Sequence, residues 1–65
     1  MILPIEIIII FNHYKVEEGE HFSEIIDGVV YWFKIIRFEL YISSDRTHWK
    51  PSPNILFEYI YGINK

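Results

Sequence analysis

Residues 29–42, Val-Val-Tyr-Trp-Phe-Lys-Ile-Ile-Arg-Phe-Glu-Leu-Tyr-Ile, limit most tightly what this chain can become. Val29, Val30, Tyr31, Trp32, Phe33, Ile35, Ile36, Phe38, Tyr41 and Ile42 are β-branched or aromatic, types that pack better on a pleated surface than along a helix. At period two, Val30, Trp32, Lys34, Ile36, Phe38, Leu40 and Ile42 share one face, broken only by Lys34. Wound as a helix, the same stretch drops Glu39 among Trp32 and Ile36, so the strand is the cleaner expectation. A straight strand of this length would run about 46 Å at roughly 3.3 Å per residue. A domain of this size is only about 28 Å across. The strand is therefore expected to bend near residues 35–37, its first half pairing on one side and its second half on the other.

The flanking residues supply partners. Asp27-Gly28 is the turn pair that best tolerates positive φ at both positions, and it predicts pairing of Ile26 with Val29, Ile25 with Val30 and Phe22 with Phe33. That makes 21–26 a return strand, preceded by a polar turn at Glu17-Glu18-Gly19-Glu20. Ser43-Ser44-Asp45-Arg46 is a second turn cluster, after which 47–50 can return briefly along the far half of the long strand.

Residues 5–16 read as the first strand, with Ile5, Ile7, Ile9 and Phe11 on one face and Ile8, Ile10 and Tyr14 on the other. Pro51-Ser52-Pro53-Asn54 interrupts any ladder, because proline has no amide to donate. The tail, 55–61, is rich in β-formers and is taken as a strand. Ser52, Pro53 and Gly62 nevertheless sit where a helix would want its cap, first residue and terminator, and Leu56, Tyr59, Ile60 and Ile63 recur at helical spacing. The expected architecture is all-β, a single domain forming a small five-stranded antiparallel barrel of SH3-like build. The alternative is α+β, with 53–61 or 23–42 helical.

Composition sharpens this in one respect. The 65 residues include no cysteine, so neither a disulfide nor a thiolate zinc site can support a core that is only marginally large enough. Fourteen Ile, five Phe, five Tyr and two Trp supply most of the apolar content, and so many bulky groups exceed what a short chain can cover with its own fold. An exposed apolar or aromatic patch is expected, serving a homodimer or a protein partner. The abundance of Ile, Phe and Tyr with no Ala or Gln also fits an AT-rich coding sequence. The apolar start, Met1 to Phe11, carries Pro4 and Glu6 and is far short of the roughly 20 residues that span a bilayer. No membrane association and a cytoplasmic location are expected.

No phosphate-binding glycine loop, His-Glu-x-x-His or Gly-x-Ser-x-Gly is present, so neither a cofactor nor an enzymatic activity is expected. His13, His21 and His48 lack a metal-ligand spacing. Ser44, Asp45 and His48 are triad residue types, but they crowd into one turn and fit turn chemistry better. Glu17, Glu18, Glu20, Glu24 and Asp27 do not follow calcium-loop spacing and read as a solvated acidic rim.

Charge is unevenly spread. Residues 1–28 carry one lysine against six acids, a net −5, whereas residues 29–65 carry five bases against three acids, a net +2. Within the positive half, Arg46-Thr47-His48-Trp49-Lys50 joins basic groups to a tryptophan, a pairing enriched in binding hot spots. Lys34, Arg37, Arg46, His48, Trp49 and Lys50 are the candidate binding residues. A non-enzymatic interaction protein, a regulator or inhibitor that occupies a protein surface, is the leading expectation. The alternative is a small nucleic-acid-binding barrel using the same patch, although an overall charge of −3 argues against the usual basic kind.

Overall fold

A computed structural model describes residues 4–53 and 55–63. Strands β1 (Phe22–Ile26), β2 (Val29–Ile36), β3 (Glu39–Ser43) and β4 (Lys50–Pro51) form one antiparallel sheet in that order. Helices α1 (Pro4–Tyr14) and α2 (Ile55–Ile63) precede and follow it. The fold is α+β, and the sheet does not close into the expected five-stranded barrel, because β1 and β4 each have a neighbour on one side only.

The Asp27-Gly28 hairpin forms as its chemistry dictates. Ile26 faces Val29, Ile25 faces Val30 and Phe22 faces Phe33, with φ of 52° at Asp27 and 79° at Gly28. The long central strand does not bend but reverses. It ends at Ile36, turns through Arg37 and Phe38, and returns as β3, pairing Ile36 with Glu39, Ile35 with Leu40 and Phe33 with Ile42. The longest dimension of the fold is 32 Å, too short for an unbroken strand of residues 29–42. The expected pairing of its far half survives at Tyr41–Pro51 and Ile42–Lys50, with the return strand confined to β4. Pro51 is tolerated there because β4 is an edge.

Helices replace the two outer strands because the sheet needs a lid rather than more edges. Cross-strand rows place Phe22, Phe33 and Ile42 on one face beside Ile35 and Leu40, and Ile7, Ile10, Leu56 and Ile60 close over them. Most of the 5–16 segment expected as a strand is therefore helical, α1 ending at Tyr14. Ile7, Ile10, Phe11 and Tyr14 fall on its inner side at helical spacing, and the few tenths of a kcal/mol that each isoleucine loses in a helix are outweighed by burial. Pro4 suits the first turn. Lys15, at φ 55°, ends the helix while the Val16 amide donates to the Phe11 carbonyl, 3.3 Å, a Schellman closure. The tail is likewise helical, in accord with its Leu56–Ile60 spacing rather than its β-forming composition; the Asn54 part of the expected proline-rich break lies outside the described residues. No helix among the described residues is long and apolar enough to cross a membrane.

Candidate functional site

The face of the sheet turned away from the helices carries Ser23 and Ile25 from β1, Val30, Trp32, Lys34 and Ile36 from β2, and Glu39 and Tyr41 from β3, as the cross-strand rows require. The described residues place neither helix on it. Its middle is an aromatic and cationic layer. The Lys34 ammonium sits 4.4 Å from the centre of the Trp49 ring, and the Arg46 guanidinium 4.5 Å from that of Trp32. The His21 ring lies 4.9 Å from Trp49. Among the described residues Lys34 and Arg46 have aromatic neighbours but no carboxylate within 4 Å.

A hydrogen-bonded loop carries Arg46 and Trp49 to this face. The buried Ser43 hydroxyl donates to Asp45 Oδ1 at 2.8 Å and accepts the amides of Asp45 and Arg46 at 3.2 and 2.9 Å. Asp45 Oδ1 also accepts the amides of Thr47 and His48, and Oδ2 lies 2.8 Å from His48 Nδ1. These donors, first the His48 amide, then its imidazole, the Thr47 amide and the Ser43 hydroxyl, hold the Asp45 carboxyl well below the usual carboxylate range. Fixing the backbone of 43–48 in this way sets Arg46 at φ 63°, above Trp32. The serine that joins Asp45 is Ser43, and its hydroxyl is directed to the carboxylate rather than to His48. The three therefore make a turn clasp, not a nucleophile with its base.

Three of the six candidate binding residues, Lys34, Arg46 and Trp49, meet on this face. His48 belongs to the clasp behind it. Lys50 is opposite Ile42 and thus on the helix side of β4. Arg37 stands apart at the β2–β3 turn, its amide donating to Glu18 Oε1 at 3.0 Å. Trp32 and His21 belong to the layer and were not among the candidates. Trp32 was accessible to sequence reasoning, since period two puts it beside Lys34, whereas His21 reaches Trp49 only through the fold. Tyr41 donates to Glu39 Oε2 at 2.7 Å, and this bond, more than burial, raises its hydroxyl pKa.

The histidines do not converge: His13 packs on Tyr14, His21 on Trp49, and His48 on Asp45. No cluster of three or more potential metal ligands forms among the described residues. No protein family, curated protein or solved structure matches the chain.

Proposed function

We propose that this chain is a small non-enzymatic interaction protein, acting in the cytoplasm as a regulator or inhibitor that seats its open sheet face on a protein partner. One observation carries this: two cations, Lys34 and Arg46, are stacked on tryptophans without a carboxylate partner, on a face the helices leave bare. Ile25 and Val30 extend the face with apolar surface, 58% and 48% exposed. Aromatic and arginine anchors with an apolar surround make up the core of protein interfaces, and the unpaired cations call for an acidic partner surface.

The test is affinity capture from the organism that encodes the chain, with size exclusion beside it, comparing wild type with Lys34→Glu/Arg46→Glu. Retention of a stoichiometric acidic partner by wild type and its loss in the variant are expected. A strictly monomeric chain that retains nothing would refute the proposal.

Stacked cations also favour a second use, the binding of single-stranded nucleic acid. It ranks below the first because one face of each tryptophan is already taken by a cation and the chain is acidic overall. A salt titration against single-stranded oligonucleotides separates the two, since phosphate contacts give a steep fall in affinity with salt. Absence of binding at low salt eliminates this use.

A further inference from the structure

The two hairpin turns of this sheet share positive φ at both central residues but have opposite chemistry. Asp27 and Gly28 adopt φ of 52° and 79°; Arg37 and Phe38 adopt 52° and 61°. Both are two-residue turns between paired strands, closed by Ile26–Val29 and Ile36–Glu39. Such a turn favours Asn, Asp or Gly, and a left-handed conformation is strained for a residue as bulky as phenylalanine. The fold does not recover that strain through packing, because Phe38 remains 55% exposed and lies outside the core. Arg37 is exposed as well and makes no ion pair among the described residues.

Hydrogen bonds from a neighbouring turn brace the tip. Beyond the start of β1, the turn at residues 17–20 takes its position beside β2: the Gly19 amide donates to the Ile35 carbonyl at 3.0 Å, and Glu18 Oε1 accepts the Arg37 amide. Glu20 in turn donates its amide to the Glu17 carbonyl and accepts the Glu17 amide on Oε1. A strained turn that is braced from outside yet projects an aromatic ring and a guanidinium into solvent has the form of a recognition element, since strain of this kind concentrates where function requires it.

We infer that Arg37 and Phe38 form a binding tip, Phe38 entering an apolar socket on a partner protein and Arg37 pairing with a carboxylate at the socket's rim. The unpaired guanidinium selects the acidic rim, and the exposed ring selects the socket. The inference rests on the chain being an interaction protein but not on use of the open sheet face.

The experiment compares the wild-type chain with Arg37→Asn/Phe38→Gly, which installs the preferred turn pair, and with Phe38→Ala. Relief of strain should raise the Tm of the Asn-Gly variant by about 5 °C or more. A photo-reactive benzoylphenylalanine is placed at position 38, and at position 27 as control, in extract of the encoding organism. Position 38 should yield one discrete protein adduct, suppressed by excess wild type but not by excess Asn-Gly variant. Once purified, that protein should bind both variants at least tenfold more weakly than wild type. A lowered Tm, no adduct beyond the control, an adduct with a second copy of the chain or with nucleic acid, or equal competition by the variant would each overturn the inference. Lys34→Glu/Arg46→Glu is run in parallel: if it competes like wild type while the Asn-Gly variant does not, the tip stands and the sheet-face proposal falls.

Discussion

The Tyr14 hydroxyl donates to Glu24 Oε1 at 2.8 Å, fastening α1 to the free edge strand β1. The other oxygen of Glu24 accepts the Ile25 amide at 3.1 Å. Ile25 sits one step inside the turn-closing pair, where antiparallel geometry points the amide away from β2. Glu24 therefore blunts an edge that would otherwise offer its backbone to another strand. Replacing Tyr14 with Phe removes the bond and keeps the ring that packs 4.8 Å from Phe22. The expected loss is about 1 kcal/mol, modest because the pair is only partly buried, or a Tm lower by about 4–8 °C. Thermal melts check it, and a Tm equal to wild type would show that the bond contributes nothing.

The same tyrosine sets an alkaline limit. Burial first, and then the bond to Glu24, raise the Tyr14 hydroxyl pKa well above that of a free tyrosine, and Tyr59 is raised by burial and by Glu24 as well. A group whose pKa is raised on folding stabilises the fold fully below its unfolded pKa, about 10 for tyrosine, and loses that contribution as pH rises further. Urea melts between pH 8 and 11 should show stability falling more steeply above pH 10 in wild type than in Tyr14→Phe. Parallel profiles would exclude Tyr14 as the source.

What could be read from the sequence, and what could not, divides along turn chemistry and periodicity. Asp27-Gly28 announced its hairpin and register because those residue types suit positive φ. Arg37-Phe38 adopts the same geometry and announced nothing, so the reversal of the long strand looked like a bend. In α1, Ile7, Ile8, Ile9 and Ile10 are apolar whichever period is tried, and a run of four isoleucines cannot distinguish strand from helix. Only the need to cover Phe22, Phe33 and Ile42 decides between them. The candidate site is half legible: charge and aromatic content single out Lys34, Arg46 and Trp49, but Lys50 lies on the other side of the sheet, which a two-residue strand beside a proline does not disclose.

Acid acts on the loop that presents Arg46. The Asp45 pKa is depressed by the His48 and Thr47 amides, the His48 ring and the Ser43 hydroxyl. A depressed carboxyl stabilises the fold above its unfolded pKa, about 3.9, and that contribution is lost as pH falls below this value. The amide resonances of Thr47 and His48 should shift together as Asp45 protonates, at a pH well below the usual carboxylate range. Asp45→Asn should show neither the shift nor any acid dependence of Arg46 placement. An unchanged pH response in Asp45→Asn would assign the transition to another group.

Core and face should separate cleanly in their response to substitution. Phe33 is fully buried, stacked 5.8 Å from Phe22 and paired across to Ile42 beneath both helices. Truncation to Ala costs about 3–5 kcal/mol at such a site, comparable to all the stability a single core of this size supplies, so Phe33→Ala should be largely unfolded at 25 °C by circular dichroism. The Lys34 and Arg46 cations each lie over a tryptophan ring, 4.4 Å from Trp49 and 4.5 Å from Trp32, contacts worth about 0.5–1 kcal/mol near a surface. Lys34→Met and Arg46→Met retain much of each aliphatic stem and should each move Tm by less than about 8 °C, leaving a folded chain that lacks one cation on this face. A collapse of the fold in either methionine variant would mean that these cations support the sheet, and any binding they lose could not then be credited to recognition.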